Sequence, residues 1–465
     1  MNTQSAEATP REALARALGP STAGAIVVGT VIGSGIFLVP AEMLQAVGSA
    51  RLVYAAWAVA GLLSFFGALT YAELGAMKPE AGGEYVYLRD AYGPLAGFLY
   101  SWTWLLVARP AVIATVTTGL IQILEDIPVF SDLSHPFILV PFTVSYGQLA
   151  EIAAVILVSW LNYAGVRRAG DFQVVFTLLK IAILLGIVAV CFSDASGSWS
   201  RFTSEYRGAR GGIAGFFAAL VAALWAYDGW NGLTMLAGEI RDPQRNIPLA
   251  LLGGVTAVGA LYMLVSAAVQ YLLPASAIAL SKQPVAEAVA LVLGRGGAGL
   301  VSVVMALSLL VTLNGTIMSG ARISFATARD GYLFESLAEV HPRYHTPAAS
   351  LVAQCALAAI LLLIGGSFRQ FFSLAIFSQW LFYMLAGSTV FVFRRRSPEA
   401  ARPFRVWGYP AVPALFVLAS AVLLYYTFTD NLETSVWGGI AILSGIPAFY
   451  YFARRKQTRV RGAAW

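Results

Sequence analysis

GTVIGSGIF (residues 29–37) interrupts the apolar run from Ala23 to Val39 with Gly33-Ser34-Gly35. In hydrocarbon no water satisfies backbone N–H and C=O groups, so a helix break at membrane depth survives only where protein or ligand supplies partners. About 195 residues further on, Tyr227-Asp228-Gly229-Trp230 interrupts a second apolar run. Two breaks in corresponding halves of a membrane chain mark a transporter's substrate site.

The surrounding composition supports that setting. With 58% hydrophobic residues, 12% charged residues and a mean hydropathy of +0.72, the chain carries more apolar surface than a soluble protein tolerates. Apolar stretches near the roughly 20 residues that cross a bilayer fall at 22–46, 51–77, 93–123, 147–164, 172–192, 213–238, 248–274, 297–326, 348–365, 369–393, 410–428 and 434–453. The expectation is an all-α polytopic protein of twelve transmembrane helices. Residues 1–21 form a cytoplasmic N-terminal segment, 22–453 a single transmembrane transporter domain, and 454–465 a cytoplasmic basic tail.

Placing both termini inside the cell membrane assigns about 21 Lys/Arg to cytoplasmic segments and about 7 to outer ones, as short cytoplasmic loops require. The net charge of +6 is therefore topological. Its basic residues are scattered over separate loops without aromatic platforms, which argues against a nucleic-acid partner. The N-terminal segment lacks a basic-then-apolar leader pattern. Cys191 and Cys355 both fall in expected spans and imply no disulfide framework.

No extramembrane stretch is long enough for a catalytic domain, and no Ser/His/acid or metal-ligand group is apparent at a common depth. The three histidines, His135, His341 and His345, fall in loops. The chain is accordingly read as a transporter and not an enzyme, with no cofactor and no metal. A repeat of two inverted halves, about 22–192 and 213–393, puts one broken span at the start of each, with 410–453 as extra helices. The segment 284–290 reads either as a short amphipathic lid helix or as a surface loop. The segment 78–94 reads as a turn followed by a short interfacial helix.

At the first break, an unwound stretch presents free N–H groups at the start of the following half-helix, suited to a carboxylate. At the second, an unwound backbone leaves carbonyls from the preceding half-helix for an ammonium group. Together they describe an amino acid. Trp225 and Trp230, at mid-span, are read as gate or pocket wall. Lys180 and Asp228 are charges inside spans, functional by default because burying them is expensive. For Arg109, followed by Pro110, a structural role is preferred, since proline frees a carbonyl that a cation can satisfy.

GTVIGSGIF (29–37), YAELGAMKPEAGGEYVYLRDAYGP (71–94), LWAYDGWN (224–231), GEIRDPQRNIPLA (238–250) and RRRSPEAARPFRV (394–406) carry a resemblance. On them the chain is identified as a member of the amino acid–polyamine–organocation superfamily, most similar to the L-type amino-acid transporters. The resemblance implies the LeuT fold, with a 5+5 inverted repeat, broken helices 1 and 6, and alternating access. It assigns substrate binding to Val31, Gly33, Ser34, Gly35, Trp225, Ala226, Asp228 and Asn231. Within that set Ser34 and Gly35 take the carboxylate, and the carbonyls of Val31, Trp225 and Asp228 take the amino group.

The resemblance also implies that Lys180 replaces a sodium ion, bridging the first and eighth spans, and that Trp380 is a tenth-span aromatic beside a divergent Gln379. Asp228 is similar to the acid of members that accept dibasic substrates; if it were bonded internally, neutral substrates would be preferred. The outer loop 122–146 lacks the cysteine of heteromeric light chains, so no disulfide-linked heavy chain is expected. The implied function is sodium-independent exchange of neutral and possibly cationic L-amino acids. Proton-coupled symport is the alternative, and an amino-acid-sensing receptor on the same scaffold a more distant one.

Overall fold

The computed structural model describes residues 14–125, 127, 130, 132–133, 135–139, 142–430 and 432–462. Residues 1–13 of the N-terminal segment and 463–465 of the basic tail lie outside the described residues. The chain runs α1 (Pro20–Val31), α2 (Gly35–Val47), α3 (Ala50–Met77), α4 (Glu84–Tyr92), α5 (Pro94–Thr103) and α6 (Arg109–Glu125). After a short hairpin, β1 (Pro136–Leu139) with β2 (Phe142–Ser145), come α7 (Tyr146–Tyr163), α8 (Val166–Ser193), α9 (Gly212–Ala226), α10 (Gly232–Met235) and α11 (Pro243–Leu272). The remainder is α12 (Ala275–Leu280), α13 (Pro284–Arg329), α14 (Ala348–Ile364), α15 (Phe368–Arg396), α16 (Ala411–Asp430) and α17 (Leu432–Gly462).

The protein is a helical polytopic membrane protein. Among the described residues eight helices are long and apolar enough to cross a bilayer, or nine when α1 and α2, bent by 40° across their break, count as one span. The other three expected spans coincide with α7, the α9–α10 pair and α14. These are shorter: α9 stops after 15 residues at the second break, and α14 has 17. The antiparallel β1–β2 pair corrects the all-α reading in the connection between α6 and α7, where Phe, Ile, Thr and Val favour pairing.

Local chemistry sets the boundaries. Pro20 and Pro243 open α1 and α11 at positions where a missing N–H costs nothing. Reciprocal capping boxes, Ser145 with Gln148 and Ser367 with Gln370, start α7 and α15. The segment 284–290 is helical and forms the start of α13, which turns at Gly294, where φ is 68°. As expected, 78–94 holds a turn and a short helix, α4.

Both ends of the described chain gather at one end of the bundle. Leu18 pairs with Glu239 and Arg241 through its main chain, while Lys456 donates to the Asp330 carbonyl oxygen and lies over the Tyr332 ring. Arg322 and Glu239, both fully buried, form a two-pronged ion pair there at 2.6 and 3.1 Å. Glu73 is bound by Arg394 and by the Val406 N–H.

Candidate functional site

The break between α1 and α2 lies against the break between α9 and α10. A Cβ on Gly35 would sit 2.8 Å from the Ala226 Cβ and 3.0 Å from its Cα, so only hydrogen fits where the two segments touch. Gly33 differs: its nearest neighbour would be the Thr312 Oγ1 at 3.6 Å, an ordinary contact, and neither glycine has a positive φ. At Gly35 the requirement is therefore space and not a left-handed backbone conformation. Gly229 does use that freedom, with φ at 105° and Thr30 packed against it.

All eight expected substrate residues, Val31, Gly33, Ser34, Gly35, Trp225, Ala226, Asp228 and Asn231, line one cavity of about 120 Å³ between the breaks. On its first wall, α2 starts at Gly35 and, among the described residues, the N–H groups of Ser34, Gly35 and Ile36 have no backbone acceptor. Free N–H groups at a helix start attract an anion. The facing carbonyls are partly engaged already. Tyr262 donates its hydroxyl to the oxygens of Val31 (3.0 Å) and Ala226 (2.9 Å), tying the two breaks together, and the Trp225 oxygen accepts from the Asp228 N–H. Sequence reasoning missed Tyr262, since a tyrosine in the apolar run 248–274 carries no local signal.

Lys180 is fully buried and does not line the cavity. From α8 its Nζ donates to the carbonyl oxygens of Gly29 (2.7 Å) and Ile32 (2.6 Å), at the open end of α1. Thr312, from α13, reaches the same cluster, donating to the Thr30 oxygen at 3.2 Å. Cation and negative helix end therefore coincide.

The side-chain end of the cavity differs most from expectation. The Asp228 Oδ1 accepts from the Tyr383 hydroxyl at 2.7 Å, and Gln379 donates to the same hydroxyl. The acid thus has an internal partner. Asn231 donates to Glu84 at 2.8 Å. Trp225 and Trp380 line the cavity, whereas Trp230 does not; its ring stacks on Tyr383 and meets Tyr71 edge-on, which corrects the pocket-wall reading for that residue.

Arg109, for which a structural role was expected, lines the cavity. Five residues of π-helix, Trp104–Ala108, precede it, a wider turn that is frequent at functional sites. Its guanidinium lies 4.5 Å from the Trp104 ring centroid and donates to the Met235 sulfur at 3.3 Å, while its Nε has no hydrogen-bond partner among the described residues. Among the described residues it forms no ion pair with a carboxylate.

Comparison with known proteins then places the chain. A family model described as amino acid permease matches residues 18–450. The serine/threonine exchanger SteT of Bacillus subtilis (strain 168) is 31% identical over 459 residues, covering 97% of this chain and 100% of that protein. The human b(0,+)-type amino acid transporter 1 is 32% identical over 455 residues, covering 95% and 89%. The human cystine/glutamate transporter is 30% identical over 429 residues, covering 92% and 83%.

Proposed function

The chain belongs to the amino acid permease family, and from that premise we propose that it is a sodium-independent amino-acid exchanger working by alternating access. The proposal includes the LeuT fold in its finer form: twelve spans, inverted halves at about 22–192 and 213–393, and both termini cytoplasmic. The observation that carries it is the meeting of two helix breaks in one cavity, with free N–H groups on one side and carbonyl oxygens on the other. That polarity suits an α-carboxylate facing an α-ammonium group. Sodium independence is supported by the Lys180 ammonium, which already occupies the carbonyl cluster at the end of α1. Exchange is supported by a relative described as a serine/threonine exchanger. The absence of a cysteine between residues 122 and 146 supports operation without a disulfide-linked heavy chain.

For the substrate side chain, the bond from Tyr383 to Asp228 and the unpaired Arg109 favour neutral polar groups over cationic ones. A second reading, an acidic side chain held by Arg109, is favoured by that same guanidinium and is in keeping with the cystine/glutamate relative. The test is uptake into liposomes, empty or loaded with amino acid, screened across serine, leucine, arginine and glutamate in sodium-free buffer. Serine uptake that needs internal amino acid supports the first reading, and glutamate uptake lost in Arg109→Gln supports the second. Uptake into empty liposomes driven by a pH gradient would replace exchange with proton symport.

A further inference from the structure

Glu84 opens α4, between two spans, and lies beneath the cavity without lining it. The Gly82-Gly83 turn before it has φ of 111° and 52° and is pressed onto the chain just past the second break. There Gly82 donates its N–H to the Met235 oxygen at 2.9 Å, and a Cβ on Gly83 would stand 2.9 Å from the Met235 nitrogen. This docking carries the Glu84 carboxylate into a fully buried position. Its Oε1 accepts from Asn231 Nδ2 (2.8 Å) and the Tyr71 hydroxyl (3.0 Å), and its Oε2 accepts from the Tyr100 hydroxyl.

All three donors are neutral, and among the described residues no Lys or Arg pairs with this carboxylate. The titratable groups around it are Tyr71 from α3, Tyr87 from its own helix, Tyr100 from α5, Arg109 from α6 and Tyr383 from α15. A buried carboxylate without a cation on it is costly as an anion. Burial pushes Glu84 above the usual carboxylate range, against the pull of its three hydrogen bonds.

We propose that Glu84 is a titrating switch on the cavity: proton uptake turns over the side-chain amide of Asn231, so that the cavity exchanges a carbonyl oxygen for an N–H donor. The inference rests on the reading of this cavity as the amino-acid site. A carboxylate only accepts, whereas the acid formed when water delivers a proton gains one O–H that needs an acceptor. To accept it, Tyr71 or Tyr100 would have to redirect its own hydroxyl proton, and both rings are packed among aromatic side chains, Tyr71 against Tyr87, Trp230, Tyr383 and Phe416 and Tyr100 against Trp104 and Phe382. Asn231 lines the cavity, so its displaced NH2 finds water or substrate there. Turned over, its Oδ1 accepts the new proton on Glu84. The sign follows: a ligand needing a carbonyl acceptor binds best above the Glu84 pKa and loses that contact as pH falls through it.

The experiment uses the full chain in liposomes, with infrared difference spectra and serine exchange recorded from about pH 4 to about pH 9, which runs from the ordinary carboxylate range to the values documented for buried carboxyls. The expected result is a protonated-carboxyl band that appears on acidification in the wild type and is missing from Glu84→Gln. In the same wild type the KM for serine rises about 2- to 10-fold toward acid, the worth of one hydrogen bond. Glu84→Gln holds the acid value at every pH. A second variant, Glu84→Asp, keeps the titration with a displaced midpoint and serves if the glutamine form fails to fold. A band unchanged by either substitution, or a KM for Glu84→Gln that tracks the wild type, would overturn the proposal. Absence of serine binding in every form would instead remove the amino-acid-site reading, while the infrared titration still decides whether Glu84 takes up the proton.

Discussion

The two helix breaks are built on opposite plans. At the first, Ile32–Ser34, the chain opens without any positive φ, the N–H groups that start α2 are left without backbone partners, and the cation on the preceding carbonyls comes from Lys180. At the second, Tyr227–Asn231, the chain uses Gly229 at φ 105° and nearly every polar group has a protein partner: Asp228 has Tyr383, Asn231 has Glu84, and the Ala226 oxygen has Tyr262. The first break leaves its hydrogen-bonding capacity for a ligand, while the second uses its own to join the cavity to α4, α11 and α15. A substrate would thus be held chiefly by one break and sensed through the other.

The most damaging way to break this contrast is to remove the cation from the first break. Lys180→Ala strips a donor from two buried carbonyls, each worth about 1–3 kcal/mol when left unmade. Transport should fall by about 100-fold in sodium-free medium, at roughly 1.4 kcal/mol per factor of ten. Exchange in choline buffer measures this, and sodium is expected to restore part of the loss by entering the vacated carbonyl cluster. Wild-type turnover by the alanine variant would reduce Lys180 to a packing residue.

Next comes the contact between the breaks. Gly35→Val adds a branched side chain where even a Cβ would lie 2.8 Å from Ala226, so the breaks must part or the cavity fill. Amino-acid binding should disappear while the protein still inserts and elutes as a folded species. Binding by isothermal titration alongside size-exclusion chromatography separates the two outcomes. Retained binding would mean that the carboxylate is held elsewhere.

These residues also show how far the sequence was legible. The length of the apolar stretches located the helices, and Gly33-Ser34-Gly35 and Asp228-Gly229 inside apolar runs located both breaks, because a break in hydrocarbon needs partners for its backbone groups. Eight of the residues that line the cavity were named in advance, on the family resemblance carried by GTVIGSGIF and LWAYDGWN. What they bond to was not. Tyr262 and Tyr383 sit in apolar runs where a tyrosine reads as packing, and only the packed bundle aims their hydroxyls at Val31 and Asp228. Glu84 was not singled out within the turn and short helix of 78–94, since nothing local reveals that Gly82-Gly83 docks it under Asn231. That Arg109 lines the cavity was not legible for the same reason: five residues of π-helix precede it.

The smallest expected effect sharpens the contrast by comparing two glycines, one from each break. Gly229→Ala places a Cβ on a residue at φ 105°, with Thr30 Cγ2 at 3.0 Å, and holding a non-glycine residue in such a region costs about 1–3 kcal/mol. Thermal unfolding of the purified protein should show that loss as a lowered midpoint. Gly33→Ala meets only the Thr312 Oγ1 at 3.6 Å and needs no positive φ, so its stability should stay within about 0.5 kcal/mol of the wild type, the range of an unstrained substitution, and its midpoint should barely move. Its added methyl does face the cavity, so any effect should appear in the KM for substrate and not in stability. If Gly33→Ala proved as unstable as Gly229→Ala, the first break would depend on glycine backbone freedom after all. The two breaks would then share one plan, differing only in which of them keeps its polar groups open to the substrate.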